Sequence, residues 1–338
     1  LVSVRIYKEL IARYPMSRWS DLYHHNRGLI FMRLQDYRSA LADFDAALQG
    51  AAHPRDRRDA RFQRGIALAG MERWPEAAET FERLSAEELS PAERVEVYVR
   101  AGICHQRAHA YDDAEASYRR ARRAYQQATD LYLQYHPTWA ARAQYQLGDL
   151  FSERFDAIEL RLPLERMRKT LDEKAHLLLK AQNAFLKTIR LKDRYWALAA
   201  GYRIGAVYEA FYADLHEAEV PLELNEEERA IYFLELKRYA APLIKRAVEV
   251  YRKNLEMAQR VGPAPQGKDK GARHGDAKTP AQAPEKWIWI TKTEESLRKL
   301  EALLVDLRQL EPPGTSGGDK PATRDTNDTS DTNTESPR

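Results

Sequence analysis

The sequence predicts an all-α fold, a solenoid of helical hairpins, and three observations predict it. A template of Gly, eight residues, an aromatic, two residues, Ala, three residues and an aromatic occurs at Gly28/Tyr37/Ala40/Phe44, Gly65/Trp74/Ala77/Phe81 and Gly102/Tyr111/Ala114/Tyr118, with the glycines 37 residues apart. Helix-start signals fall inside each period: Gln35-Asp36 precedes Tyr37, Pro75 follows Trp74, and Ser90-Pro91-Ala92-Glu93 joins an N-cap Ser, an N1 Pro and an N3 Glu. A charged fraction of 31% and a mean hydropathy of −0.67 fit exposed helices that each bury one narrow stripe. A repeat of this length is one supersecondary unit that hides its apolar face only against its neighbours.

Residues 1–20 read as a partial repeat or capping helix, because Tyr7 to Pro15 resembles the second half of a unit. Residues 21–128 hold the three regular units. A glycine inside a helix costs roughly 1 kcal/mol relative to Ala, so its fixed register asks for close helix approach in return. We expect the glycine helix to lie against Ala40, Ala77 or Ala114, with Phe44, Phe81 or Tyr118 one turn along filling the gap. Pro54 and Pro91 close the first two units; the third has Ala128 there, so its second helix is expected to run on toward Tyr135, until Pro137.

Residues 129–261 read as two degenerate units with long helices. Leu147-Gly148 and Phe151 keep the first-helix register and Ala181/Phe185 the second, after an insertion around Arg161 to Leu178. Ile204-Gly205 with Tyr208, then Ala247/Tyr251, repeat the scheme. Asn225 before Glu226-Glu227-Glu228 is a cap followed by acids that complement the helix dipole. Residues 262–285, rich in Gly, Pro, Ala and Lys, read as a disordered linker. Residues 286–311 carry Trp287, Ile290, Leu297, Leu300, Leu304 and Leu307, an amphipathic helix expected to cap the open end of the solenoid. Residues 312–338 read as a disordered tail.

These residues resemble the tetratricopeptide repeat (TPR). The glycine, the aromatic after it, the alanine and the second aromatic match that pattern in all three regular units, and Ala47 and Ala121 match its next small position. Leu84 at that small position, Leu68 and His105 at an earlier aromatic position, and a period longer than 34 depart from it. The resemblance implies a right-handed superhelix whose first helices line a concave groove. Carried over by register, that groove comprises Leu22, His25, Leu29, Met32 and Arg33; Asp59, Phe62, Ile66, Ala69 and Gly70; and Glu96, Val99, Ile103, Gln106 and Arg107. The alternative is that some of these bury against the N-terminal or the returning C-terminal helix. The family's clamp for chaperone C-termini needs a Lys and an Asn where this chain has His25 and Leu29, which argues against that ligand.

No apolar run is long enough to cross a membrane. The chain opens on Leu1, so we expect an upstream segment in which a secretion signal or lipid anchor would stand. One cysteine, Cys104, excludes an internal disulfide framework and a thiolate-rich metal site. A net charge of +3 argues for no nucleic-acid partner. Arg119, Arg120, Arg122 and Arg123, with Arg55, Arg57, Arg58, Arg61 and Arg64 farther up, read as solvated outer faces.

His105 and His109 stand four apart as if on one helix face, but His105 also fills the repeat's aromatic slot and packing accounts for it; adjacent His24 and His25 point to different sides. No phosphate loop, nucleophile elbow or metalloprotease motif is present. We therefore expect no enzyme, cofactor or metal. The expected function is a non-catalytic scaffold that holds a partner helix or peptide. Tyr14 to Ser17, Arg27-Gly28, Leu34 to Tyr37 and Ala40 resemble bacterial envelope repeat proteins, and Tyr202 to Gly205, Leu236 to Tyr239 and Ala247 to Gly262 resemble large deltaproteobacterial ones, some tied to gliding motility. That resemblance implies a periplasmic or outer-membrane complex; the alternative is a cytoplasmic regulator binding a peptide signal or nucleic acid.

Overall fold

The computed structural model describes residues 2–129, 136–221, 223–261 and 288–309. The linker 262–285, the tail 312–338, Trp287 and the path of residues 130–135 lie outside the described residues. Among the described residues the chain is helical throughout: α1 (Val2–Arg13), α2 (Ser20–Arg33), α3 (Tyr37–Gly50), α4 (Pro54–Gly70), α5 (Trp74–Ser85), α6 (Pro91–Arg107), α7 (Tyr111–Gln127), α8 (Thr138–Asp156), α9 (Leu164–Arg190), α10 (Arg194–His216), α11 (Glu226–Val261) and α12 (Ile288–Gln309).

Successive helices pack in sequence, so α2/α3, α4/α5, α6/α7, α8/α9 and α10/α11 are five hairpins. The first helices also touch one another from unit to unit, α2 with α4, α6 with α8 and α8 with α10, whereas the second helices make no comparable contact. First helices therefore form the inner layer and second helices the outer one, as in a TPR-like solenoid.

The glycine register explains the hairpins, with one correction. The glycine faces the aromatic ring itself rather than the alanine: a Cβ would stand 2.7 Å from Phe44 at Gly28, 2.8 Å from Phe81 at Gly65, 2.5 Å from Tyr118 at Gly102 and 2.6 Å from Phe185 at Gly148, and would collide with Tyr251 at Gly205. Each ring is buried, at 0–1% exposure. The rule thus extends to both degenerate units.

Each regular hairpin also turns in the same way. Gln35, Glu72 and His109 sit at φ near +60°, and the amides of Asp36, Arg73 and Ala110 reach back to Phe31 O, Leu68 O and His105 O at 2.9–3.0 Å. This is a helix C-terminal motif that usually employs Gly. The expected N-caps form: Ser90 and Glu93 exchange bonds as a capping box, and Asn225 with Glu228 does the same at 2.9 Å each way.

The third unit departs from expectation. Helix α7 ends at Gln127, with Ala128 extended at ψ 127°, instead of continuing toward Tyr135. Most of the insertion around Arg161 to Leu178 is the front of the 27-residue helix α9. That extension is held by Lys174, which is fully buried, donates to Phe155 O at 2.9 Å and Ile158 O at 2.7 Å, and pairs with Asp214 at 2.7 Å. The lysine satisfies carbonyls at the C-terminus of α8, where the dipole favours a cation.

Helix α12 closes the C-terminal end. Leu300 packs among Ile244, Ala247, Val248 and Tyr251, and Trp289 and Ile290 pack on Leu198 and Ala258. Buried Asn254 donates to Leu198 O at 3.1 Å and Thr293 Oγ1 at 3.0 Å, tying α10, α11 and α12 together.

Candidate functional site

The inner layer presents the residues that the register selects, in two states. In the first two units most are accessible: Leu22, Arg33 and Asp59 are exposed, and His25, Leu29, Met32, Phe62, Ala69 and Gly70 are half-buried, while Ile66 is in the core at 4% exposure. In the third unit Ile103 is half-buried and Arg107 exposed, but Val99, Glu96 and Gln106 are buried, at 0%, 9% and 6%. The approach of α8 explains this. Val99 packs with Ala143 and Trp139, and Gln106 accepts from the Tyr118 hydroxyl at 2.7 Å and donates to Glu153 at 2.8 Å. The accessible part of the groove is therefore units one and two plus Ile103 and Arg107.

Burial lowers the pKa of His25 from its ordinary 6.5 against the opposing pull of Asp59, Asp56 and Asp21, and its ring stands edge-on to Phe44 at 5.7 Å. Its neighbour His24 turns to the other side and bonds Asp43 at 2.9 Å, where Arg27 also docks at 2.7 Å.

A second pattern runs along the same layer. The Arg100 guanidinium lies 5.1 Å from the Phe62 ring and 5.0 Å from Trp139; Arg142 lies 5.0 Å from Trp139 and 5.8 Å from Trp196; the Trp196 ring lies 4.9 Å from Tyr145, tilted by 47°. The stack ends on Trp289 of α12, 6.3 Å from Tyr145 and 5.8 Å from Tyr202. Aromatic rings and guanidinium groups thus alternate from Phe62 to Trp196 through α4, α6, α8 and α10, and aromatic rings alone continue to α12. Each such contact contributes about 0.5–2 kcal/mol, more as water is excluded.

Sequence reasoning missed this stack, although a signal existed. Trp19, Trp139 and Trp196 all stand nine residues before a repeat glycine, and Phe62, Tyr145 and Tyr202 all stand three before one. The wall's arginines are matched: Arg100 is held by Glu96 at 2.8 Å and Arg203 by Asp149 at 2.7 Å. Burial raises the pKa of Glu153 and of Asp156 on α8. The wall accordingly offers ring faces and apolar side chains, with Arg100 and Arg203 paired internally and Arg33, Asp59 and Arg107 exposed at its edge.

The remaining candidates resolve into structural roles. Helix α6 ends at Arg107, so His105 and His109 do not share a helix face; His105 contacts Glu82 at 3.0 Å and His109 contacts the Tyr111 hydroxyl at 3.0 Å. Among the described residues no three potential ligands gather for a metal ion. Cys104 is buried, which pushes its thiol up to about 12. A cavity of about 260 Å³ between α3, α4 and α5 is lined by Arg61, Arg64 and Arg83, each engaged by an acid: Glu87, Asp45 and Glu79. No described helix is long and apolar enough to cross a membrane.

No protein-family profile matches the chain, and no curated protein matches it. Among solved structures it is similar to a TPR repeats protein from Bacteroides fragilis NCTC 9343, at 13% identity and a TM-score of 0.33 over 84% of this chain and 98% of that one. It is also similar to a chain from the computational design of self-assembling cyclic protein homooligomers, at 12% identity and a TM-score of 0.29 over 90% of this chain and 94% of that one. By its own helix pairing, glycine register and inner layer of first helices, the chain is a TPR-like helical repeat protein.

Proposed function

We propose that this protein is a non-catalytic scaffold that lays a partner's helix or extended peptide along the inner wall of its first two units, between Leu22 and Arg107. The observation that carries this reading is the half-buried apolar row His25, Leu29, Met32 and Phe62, edged by exposed Arg33, Asp59 and Arg107. An apolar strip with charged rims suits an amphipathic segment. The rim mixes exposed Asp59 with Arg33 and Arg107 and presents no continuous basic stripe, which disfavours a nucleic-acid ligand. The resemblance of the first repeat to envelope proteins supports a setting in a bacterial envelope complex, with motility machinery as one such complex.

Introducing a charge at exposed Leu22 (Leu22→Asp) and reversing those of exposed Asp59 and Arg107 (Asp59→Arg, Arg107→Glu) leaves the core untouched. Recovery of the native partner with the tagged chain is expected to fall at least tenfold for these variants and to stay unchanged for Arg120→Glu and Arg123→Glu on the outer helix α7. Equal recovery from both sets contradicts the reading.

A further inference from the structure

The aromatic stack ends on a side chain that no repeat unit supplies. Trp289 lies in the first turn of α12, with its ring 5.8 Å from Tyr202, 6.2 Å from Tyr195 and 6.3 Å from Tyr145. Tyr145 and Tyr202 hold the same register as His25 and Phe62 of the accessible wall, three residues before their glycines. One unit earlier, Trp196 takes the matching place on Tyr145 at 4.9 Å. The wall therefore repeats a seat for a flat ring, and α12 fills the last of them.

Two features distinguish this last seat. The Trp289 Nε1 group is buried with no acceptor, and a buried donor left unpaired is costly. Trp289 also rides on a helix N-terminal turn, where backbone N–H groups lack helical partners. The body of α12 is anchored farther along: Thr293 is buried and bonded to Asn254 at 3.0 Å, Leu300 is in the core, and Arg252 pairs with Glu301 at 2.6 Å. Opening the first turn would cost the Thr293 Oγ1 bond to Trp289 O and the packing of Trp289 and Ile290 on Leu198 and Ala258, while Leu300 and Glu301 hold the rest of the helix.

Resting on the wall reading above, we propose that the seat formed by Tyr145, Tyr195 and Tyr202 is a recognition subsite for an aromatic side chain of the partner peptide, and that Trp289 occupies it in the free protein. The chain's own indole shows what fits. A partner phenyl ring fills the seat without an orphaned N–H, whereas an indole, a donor only, leaves that N–H unpaired unless the partner's peptide backbone supplies an acceptor. Lys292, 5.1 Å from the Trp289 ring and 5.8 Å from Tyr202, attracts whichever ring is present. The partner is thereby defined as a peptide that runs on past the groove of the first two units and places an aromatic anchor on α8 and α10.

Indole itself is the probe. In the full chain, Trp289→Ala is expected to bind indole at least tenfold more tightly than the unsubstituted protein by ligand-detected NMR, and Trp289→Ala with Tyr202→Ala to lose that gain. Equal binding by Trp289→Ala and the unsubstituted chain overturns the proposal. A measurement without substitution covers the case in which Trp289→Ala undocks α12. With 5-fluorotryptophan incorporated, millimolar indole is expected to shift the Trp289 resonance, assigned by its absence in Trp289→Phe, and to leave that of Trp74 in place; an unmoved Trp289 signal overturns it. Failure here with the charge-reversal result intact removes the seat and keeps the wall; failure of both removes the wall.

Discussion

A Cβ placed on Gly65 would stand 2.8 Å from Cζ of Phe81, a ring with 1% of its surface exposed. Helix propensity favours Gly65→Ala by about 1 kcal/mol, but the ring has no room to retreat, and overpacking of this kind costs about 1–3 kcal/mol. The second effect wins. Gly65→Ala is expected to lower stability in urea by about 1–2 kcal/mol, and Phe81→Leu in the same chain to remove most of that added penalty. A stabilised Gly65→Ala protein would show that the ring moves freely.

The hairpin turns carry the opposite prospect. Glu72 adopts φ 60°, a region that costs a side-chain-bearing residue about 1–2 kcal/mol. Glycine removes that strain, and its freer unfolded chain takes back part of the gain. Glu72→Gly is expected to raise the melting temperature, with a gain of about 0.5–1 kcal/mol, and Gln35→Gly to behave alike.

Lys174 is the most consequential buried charge. Lys174→Met leaves buried Phe155 O and Ile158 O without their donor, an omission that costs about 1–3 kcal/mol, while water screens the partly exposed Asp214. Chemical denaturation is expected to show a loss of that size, and Lys174→Met with Asp214→Leu to recover a small part of it. A single substitution costing under about 1 kcal/mol would contradict this role.

His25 sets a pH dependence. Because burial lowers its pKa, the folded protein holds the ring neutral more firmly than the unfolded chain does. The stability it contributes is present above the ordinary value of 6.5 and is lost as pH falls through the lowered folded pKa. The NMR titration of His25 is expected to have its midpoint below 6.5, and the slope of stability against pH in that range to be shallower in His25→Gln. A midpoint above 6.5 would mean that Asp21, Asp56 and Asp59 outweigh burial.

Much of this fold was legible because local chemistry repeats. Gly28, Gly65 and Gly102 announce the hairpins, and Ser90 with Glu93 and Asn225 with Glu228 announce two helix starts. What stayed hidden depends on distant residues. Lys174 sits in a run of charges and leucines that reads as a solvated face, and only the approach of α8 and α10 turns it inward. Val99 and Gln106 match the groove register as well as Phe62 does, yet the packing of α8 on α6 buries them. The Arg100–Trp139–Arg142 stack has its tryptophan register in the sequence, but its arginines come from different offsets in different units, so no fixed spacing reveals them.

The central claim is that the inner wall, not the outer helices, receives the partner. A photo-crosslinking amino acid in place of Phe62 in the native complex, against one in place of Arg123, tests it most directly. The account predicts an adduct from position 62 to one segment of one partner, and none from position 123. Adducts from position 123 alone would contradict it.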